Sequence, residues 1–348
     1  GGLIGNNSGN SGVISEATAS GDVSGVDTVG GMFGFSGCGA SIEDSSATGD
    51  VTATGSYVGG VAGDDGCEGP GSTYTNVSAS GVVSGVGYVG GFLGNSWLTT
   101  VYDSTASGDV TATDNQAGGF AGWFGHGQIS GSTASGTVTG TNSVGGMFGF
   151  SGCEAEISNS SASGDVDGDE SVGGFSGVDG CMGPGSTITE SSSSGTVSAA
   201  GNYVGGFIGS AYTTTIDRSF STSDVATTGS MAGGMFGLFA QDSIITDGYA
   251  RGDVEGDDLV GGFIGQDSGV TNVVNVYATG LVSGQGTVGG LVAGSEGESI
   301  LYALASFWDA ESTGVNTSTV GDSKTSAQLH ALATFTTELG ADTWDFEN

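Results

Sequence analysis

Positive charge is nearly absent from this chain. Three Lys and Arg stand against 38 Asp and Glu, a formal net charge of −35 over 348 residues. A surface of one sign excludes nucleic acid and anionic membrane as partners, since both are held by basic patches. Two readings of the acidity remain. One is a Ca²⁺-loaded extracellular module, which leaves Ca²⁺ as the single cofactor to consider. The other is a protein from brine, where screening makes a single-sign surface tolerable. The scarcity of lysine favours the second, because ordinary surfaces mix both signs. No apolar run approaches membrane-spanning length. No signal peptide is evident and residue 1 is Gly, so the chain reads as mature or excised.

Helix-forming composition is also missing. Glycine supplies 73 residues, and each Gly inside a helix costs about 1 kcal/mol relative to Ala. What is present instead is a period. A Gly-Gly pair begins at Gly1, Gly30, Gly59, Gly90, Gly118, Gly145, Gly173, Gly205, Gly233, Gly261 and Gly289. Such spacing marks a stacked repeat in which no unit buries its apolar side alone. Ladders accompany it: Ile129, Ile157 and Ile188; then Ala134, Ala162 and Ser193; then Val138, Val166 and Val197. Alternation across Ala-Ser-Gly-Asp-Val is the period-2 pattern of a half-buried strand, with Ser and Asp outward. Val172 and Phe175 can both point inward if the chain bends at Gly173-Gly174 through a positive φ. The pattern predicts an all-β, parallel β-solenoid of about eleven coils of ~28 residues, a β-helix with right-handed winding as the default.

Residues 1–300 carry the coils, the first of them incomplete. Within them Met32-Phe-Gly-Phe-Ser-Gly-Cys38 returns as Met147-Phe-Gly-Phe-Ser-Gly-Cys153, and Cys67-Glu-Gly-Pro-Gly-Ser-Thr73 returns as Cys181-Met-Gly-Pro-Gly-Ser-Thr187. A four-coil block is therefore duplicated at about 30–144 and 145–260. From 301 the pattern fails, and 301–348 reads as a C-terminal cap. In it Trp308 and Trp344 serve as anchors, and a short helix spans Thr325 to Leu332 behind a Thr or Ser N-cap.

Tyr277-Ala-Thr-Gly-Leu-Val-Ser-Gly followed by Val288-Gly-Gly-Leu-Val resembles the GLUG-type repeats of prokaryotic, haloarchaeal-type cell-surface adhesins. Ser306-Phe-Trp-Asp and Thr325-Ser-Ala-Gln-Leu resemble the signatures that close such arrays. The resemblance implies a secreted or surface-attached solenoid and brings no catalytic residues.

Candidate sites were sought against that frame. A lyase needs a base and usually a cation, yet Arg218, Arg251, Lys324, His126 and His330 never fall on equivalent or adjacent coil positions. Paired carboxylates could serve a glycosidase, but nearly forty acids single out no pair. No nucleophile elbow or zinc cluster stands out. The expectation is a non-enzymatic extracellular protein, an adhesin or stalk, whose partners are cell-surface glycans or other surface proteins. A filament subunit assembling end to end is the alternative, suggested by the open coil at Gly1–Gly5; a carbohydrate-active β-helix enzyme is the second. Asp165, Asp167, Asp169 and Glu170, and Asp253, Glu255, Asp257 and Asp258, are acidic clusters that read as solvated surface or Ca²⁺ sites.

The cysteines occupy equivalent positions on adjacent coils, eight residues past their Gly-Gly, so disulfides Cys38–Cys67 and Cys153–Cys181 are expected. Asn6, Asn76, Asn159 and Asn316 begin glycosylation sequons. Length variation concentrates after the Gly-Gly strand, so one edge carries the loops, and solenoids often bind there. That edge holds Trp97, Tyr102, Trp123, Phe124 and His126, with Tyr212 and Phe239 in the second block. Aromatics beside acids suit sugar recognition; the alternative is a satellite core beneath the loops.

Overall fold

The computed structural model describes residues 1–331 apart from 8–11, 38, 67, 68, 70 and 182. Its strands are short and pair in parallel with the same position one coil on. A representative coil runs through Val58–Gly59, Ala62–Asp65, Thr73–Thr75, Ser78–Ala79 and Val83–Gly85. Val58 lies opposite Val29 and Val89, Tyr74 opposite Ile42 and Val101, and Ala79 opposite Ala47 and Ala106. The Val-Gly strands build one ten-stranded sheet and the strands opening on Val23, Val51 and Val83 another; the rest form a continuous 30-stranded network. The chain is thus a parallel β-solenoid of about eleven turns.

The interior is two cores rather than one. Ile, Phe, Met and Ala ladders fill the larger, where Phe92 stacks on Phe120 and Phe175 on Phe207, each at 4.6 Å. Two valine ladders, typified by Val166 and Val172, fill the smaller. The inward residues of Ala-Ser-Gly-Asp-Val therefore divide, Ala to one core and Val to the other. Between them the Gly-Gly strand forms a waist. A Cβ on Gly60 would lie 2.1 Å from the Gly91 carbonyl oxygen and 3.0 Å from the Ala79 Cβ. The ladder residue five past the Ile column is small because that waist has no room for more.

The expected bend through a positive φ at Gly-Gly is corrected here. Both Val172 and Phe175 are buried, but the left-handed residue is Ser171, at φ 53°. Tyr57, Tyr88 and Tyr203 hold the same corner at φ 64°, 52° and 62°. Gly-Gly is needed for close approach, and the bend falls on the residue before Val. A second left-handed corner carries Asp44, Asn76, Asp103 and Asn159, residue types that tolerate this conformation.

Two polar ladders also tie coil to coil. Ser104, Ser132, Ser160, Ser191 and Ser219 each accept a backbone N–H from the preceding coil. In Gly-Asp-Val the carboxylate accepts the N–H of its counterpart one coil on, as Asp50 does from Val82 and Asp253 from Leu281. The repeating Asp is thus a cap between coils.

At the far end Trp308 closes the larger core, its indole seated where a Cβ on Gly290 would clash and its Nε1 donating to Val315 O at 2.9 Å. Val315 closes the valine core. The expected helix is Ser326–Leu329 with Thr325 as N-cap and a capping box to Gln328; the sequence reading missed a second single turn, Ala310–Thr313, capped by Asp309. Leu332 and Trp344 lie outside the described residues. Among the described residues, no helix is long and apolar enough to cross a membrane.

Candidate functional site

The outward face of the Ala62–Asp65 column carries, coil by coil, Phe35, Asp64, Asn95, Trp123 and Phe150. Beside it run the corner residues Tyr57 and Tyr88, stacked at 5.0 Å and 14°. Their left-handed backbone is held by the ladder itself, Tyr57 N donating to Gly87 O and Val58 N to Tyr88 O. Trp97 extends two residues beyond Asn95 and stacks on Trp123 at 5.3 Å and 6°. Glycine on both neighbouring coils makes that indole possible. Gly125 lies opposite Trp97 in register, and a Cβ there would strike Trp123 at 2.5 Å. Gly66, one coil back, would place its Cβ 3.2 Å from that of Trp97. Trp97 remains 37 % exposed beside that side-chain-free position.

These residues enclose an open groove of about 670 Å³ lined by Tyr57, Asp64, Gly66, Tyr88, Asn95, Trp97 and Trp123. On its floor Asn95 Nδ2 donates to Asp64 Oδ1 at 2.8 Å. Burial raises the Asp64 carboxyl above the ordinary value, and the Asn95 bond opposes this. Aromatic walls with one carboxylate and one carboxamide between them can bind a ligand that has both apolar faces and hydrogen-bonding edges.

Directly behind, Asp65 is fully buried and accepts from Ser72 Oγ at 3.1 Å and Thr99 Oγ1 at 3.2 Å. Burial pushes its carboxyl up to about 7 against those hydrogen bonds.

The residues of the expected ligand edge therefore fall in different places. Trp97 and Trp123 line the groove, and His126 packs on Trp97 at 4.2 Å while facing Glu154 at 3.9 Å. Phe124 and Phe239 are 0 % exposed and belong to the larger core, because strand alternation turns them inward beside outward Trp123 and Leu238. Tyr102 is exposed but sits on Thr100–Tyr102, past the left-handed corner at Leu98, and does not line the groove. Tyr212 lines a separate depression of about 420 Å³ with Phe150, Val178, Gly180, Cys181 and Gln241. Tyr57, Tyr88, Asp64 and Asn95 escaped the sequence reading. Their signal was positional: Tyr57 and Tyr88 share one repeat position on adjacent coils and Asp64 and Asn95 another, which a column-by-column alignment of the coils displays.

Cys153 and Cys181 are joined, their Cα atoms 5.1 Å apart; the Cys38–Cys67 pairing lies outside the described residues. Asn6, Asn76, Asn159 and Asn316 are exposed. Asn76 and Asn159 also have a local reason to be Asn, standing at left-handed corners, and Asn76 Nδ2 donates to Asp44 at 2.7 Å. The acidic clusters serve the ladder: Asp165 accepts from Thr196 N, Asp167 from Ser198 Oγ and Asp258 from Thr287 N. Among the described residues, no three His, Cys, Asp or Glu side chains group as a metal site.

The family model described as the GLUG motif matches residues 85–111, which supports a GLUG-repeat protein. That segment contains Tyr88, Asn95 and Trp97. Comparison with curated proteins returned no match, nor did comparison with solved structures.

Proposed function

We propose that this chain is a non-enzymatic extracellular surface protein, an adhesin in which an acidic, salt-adapted β-solenoid holds out a ligand groove. The observation that carries the reading is the aromatic wall outside the core. Tyr57, Tyr88, Trp97 and Trp123 are kept at the surface by fold positions that could all be small and polar. A cluster of large rings left partly in water is unfavourable, so it points to something that covers them. Against catalysis, Asp64 is the sole carboxylate among the described lining residues, and its neighbour Asp65 faces the core, whereas glycoside hydrolysis needs two across the scissile bond. An oxidising location agrees with the Cys153–Cys181 bond.

The test is surface labelling of intact cells that express the chain, combined with adhesion of beads coated with it. Labelling and adhesion are expected; polysaccharide cleavage by the purified chain would replace the adhesin with an enzyme. Light scattering at high salt addresses the filament subunit, which would sediment as concentration-dependent ends-joined species rather than a monomer.

A further inference from the structure

Resting on that reading, we propose that the groove binds a neutral glycan, one sugar ring lying on the exposed part of the Trp97 indole beside Gly66. Hydroxyls of the bound sugar would meet Asp64 and Asn95, with Tyr57 and Tyr88 as the side wall. Four observations select this ligand class. The indole is flat, apolar and 37 % exposed in the groove it shares with Gly66, which suits the C–H face of a pyranose. The floor pair supplies one acceptor-only group and one carboxamide, already oriented by their mutual 2.8 Å bond, so hydroxyl partners meet prearranged groups. Acidic glycans are excluded by charge. Asp64 stands in the groove, and no Lys or Arg occurs between residues 30 and 144 to neutralise a uronate or sulfate. A compact quaternary ammonium would need rings converging around it, whereas these form two parallel stacks along an open groove.

The second block does not repeat this set of groove residues. The matching positions of the second block are Ser171, Val178, Tyr203, Ser210, Tyr212 and Leu238. They lack the carboxylate, the carboxamide and both indoles.

Affinity electrophoresis of the full chain through neutral polysaccharides (β-glucan, mannan, galactan), alginate and polylysine, at high and low KCl, tests the proposal. Retardation by at least one neutral polysaccharide, little changed by salt, is expected. Trp97→Ala should weaken it at least about tenfold, the scale of losing one well-packed aromatic anchor. Gly66→Val should do the same by crowding the space beside Trp97, and Tyr102→Ala should leave it unchanged. Circular dichroism melts confirm that each variant is folded. Retention by polylysine alone, fading with salt, overturns the ligand class, as does undiminished retention of folded Trp97→Ala. Adhesion of coated beads without retention by any neutral polysaccharide overturns the glycan proposal and leaves the adhesin reading standing. Loss of both overturns both.

Discussion

Residues 30–144 and 145–260 are two copies of one block, and they have diverged on one surface while agreeing beneath it. Behind the groove Asp65 meets Ser72 and Thr99. At the matching depth Asp179 accepts from Ser151 at 2.6 Å, from Thr214 Oγ1 at 2.5 Å and from Ser186 N at 3.2 Å. The Gly-Gly waist is the same in both. Yet on the outside Asp64, Asn95 and Trp123 correspond to Val178, Ser210 and Leu238. Stacking explains the contrast. An inward residue packs into the shared core, so a change there propagates; the outward column is freer to vary, although in the second block its Ser210 and Leu238 are themselves buried.

The waist gives the hardest test, because the two copies should fail alike. A Cβ at Gly59 would lie 2.0 Å from Ala62 O, and one at Gly173 would lie 2.1 Å from Ser176 O. Gly59→Ala and Gly173→Ala should each cost about 3 kcal/mol or more, the upper end for overpacking, since the backbone carbonyl has no side chain to yield. Guanidinium denaturation measures it. Tolerance of one substitution and not the other would mean that the copies are not equivalent inside.

The buried carboxyls come next. Asp65 is driven up to about 7, and Asp179 and Asp267 are raised by burial in the same way. Each holds its proton more tightly folded than unfolded. The stability they contribute is full below the unfolded value near about 4 and is lost as pH rises through the folded value, near 7 for Asp65. Asp165 and Asp258 run the other way, lowered by hydrogen bonds from Thr196 and from Thr287 and Leu259. Their contribution is present above the unfolded value and lost as pH falls. Stability should therefore be greatest in mild acid and decline toward neutrality. For Asp65 the linkage is at most about 4 kcal/mol. Asp65→Asn and Asp179→Asn should each flatten the decline of melting temperature between pH 4 and roughly 7; an unchanged slope in both would show that water reaches these carboxyls.

The disulfide is the third. It closes a separation of 28 residues between adjacent coils, and loop-closure entropy assigns it about 3–4 kcal/mol. Cys153→Ser with Cys181→Ser should lower guanidinium stability by up to that amount. A negligible loss would mean that the parallel ladder alone sets the register of these coils.

Much of this molecule was legible in advance because stacked repeats convert sequence columns directly into structure. The Ile, Ala and Val ladders, the parallel register and the Cys153–Cys181 pairing follow from counting residues to Gly-Gly. The two-lobed interior does not, since a period-2 pattern reports that Ala162 and Val166 point inward but not that a glycine waist separates their destinations. The groove was harder still. Phe124 and Trp123 are neighbours of similar hydrophobicity, and only the pleat decides which faces water. Tyr57 and Tyr88 were hidden by a conformational surprise, bulky residues at a left-handed corner where glycine would be expected. Reading by residue type points to the coils that carry the groove; reading by column points to its lining side chains.

The smallest expected effect separates the two blocks by charge. Residues 30–144 contain nine Asp and Glu with no Lys or Arg, whereas 145–260 contain sixteen, offset by Arg218 and Arg251. Several of the added acids lie on consecutive coils at one register position, as Asp224 and Asp253 do, the second donating its N–H to the first carboxylate at 2.9 Å. That bond caps the coil, but like charges in register repel. Lowering salt from 1 M to 0.1 M lengthens the screening distance from about 3 Å to about 10 Å, beyond the spacing of about 4.8 Å between coils. Repulsion along such a column should then be felt across several coils, more in the second block than in the first. Melting temperature should fall in dilute buffer and recover with KCl or NaCl, and hydrogen exchange followed by mass spectrometry should show 145–260 opening before 30–144. Equal protection in the two blocks would mean that local capping, rather than net charge, governs the salt response. Recovery by micromolar Ca²⁺ alone would return the acids to the role of cation ligands.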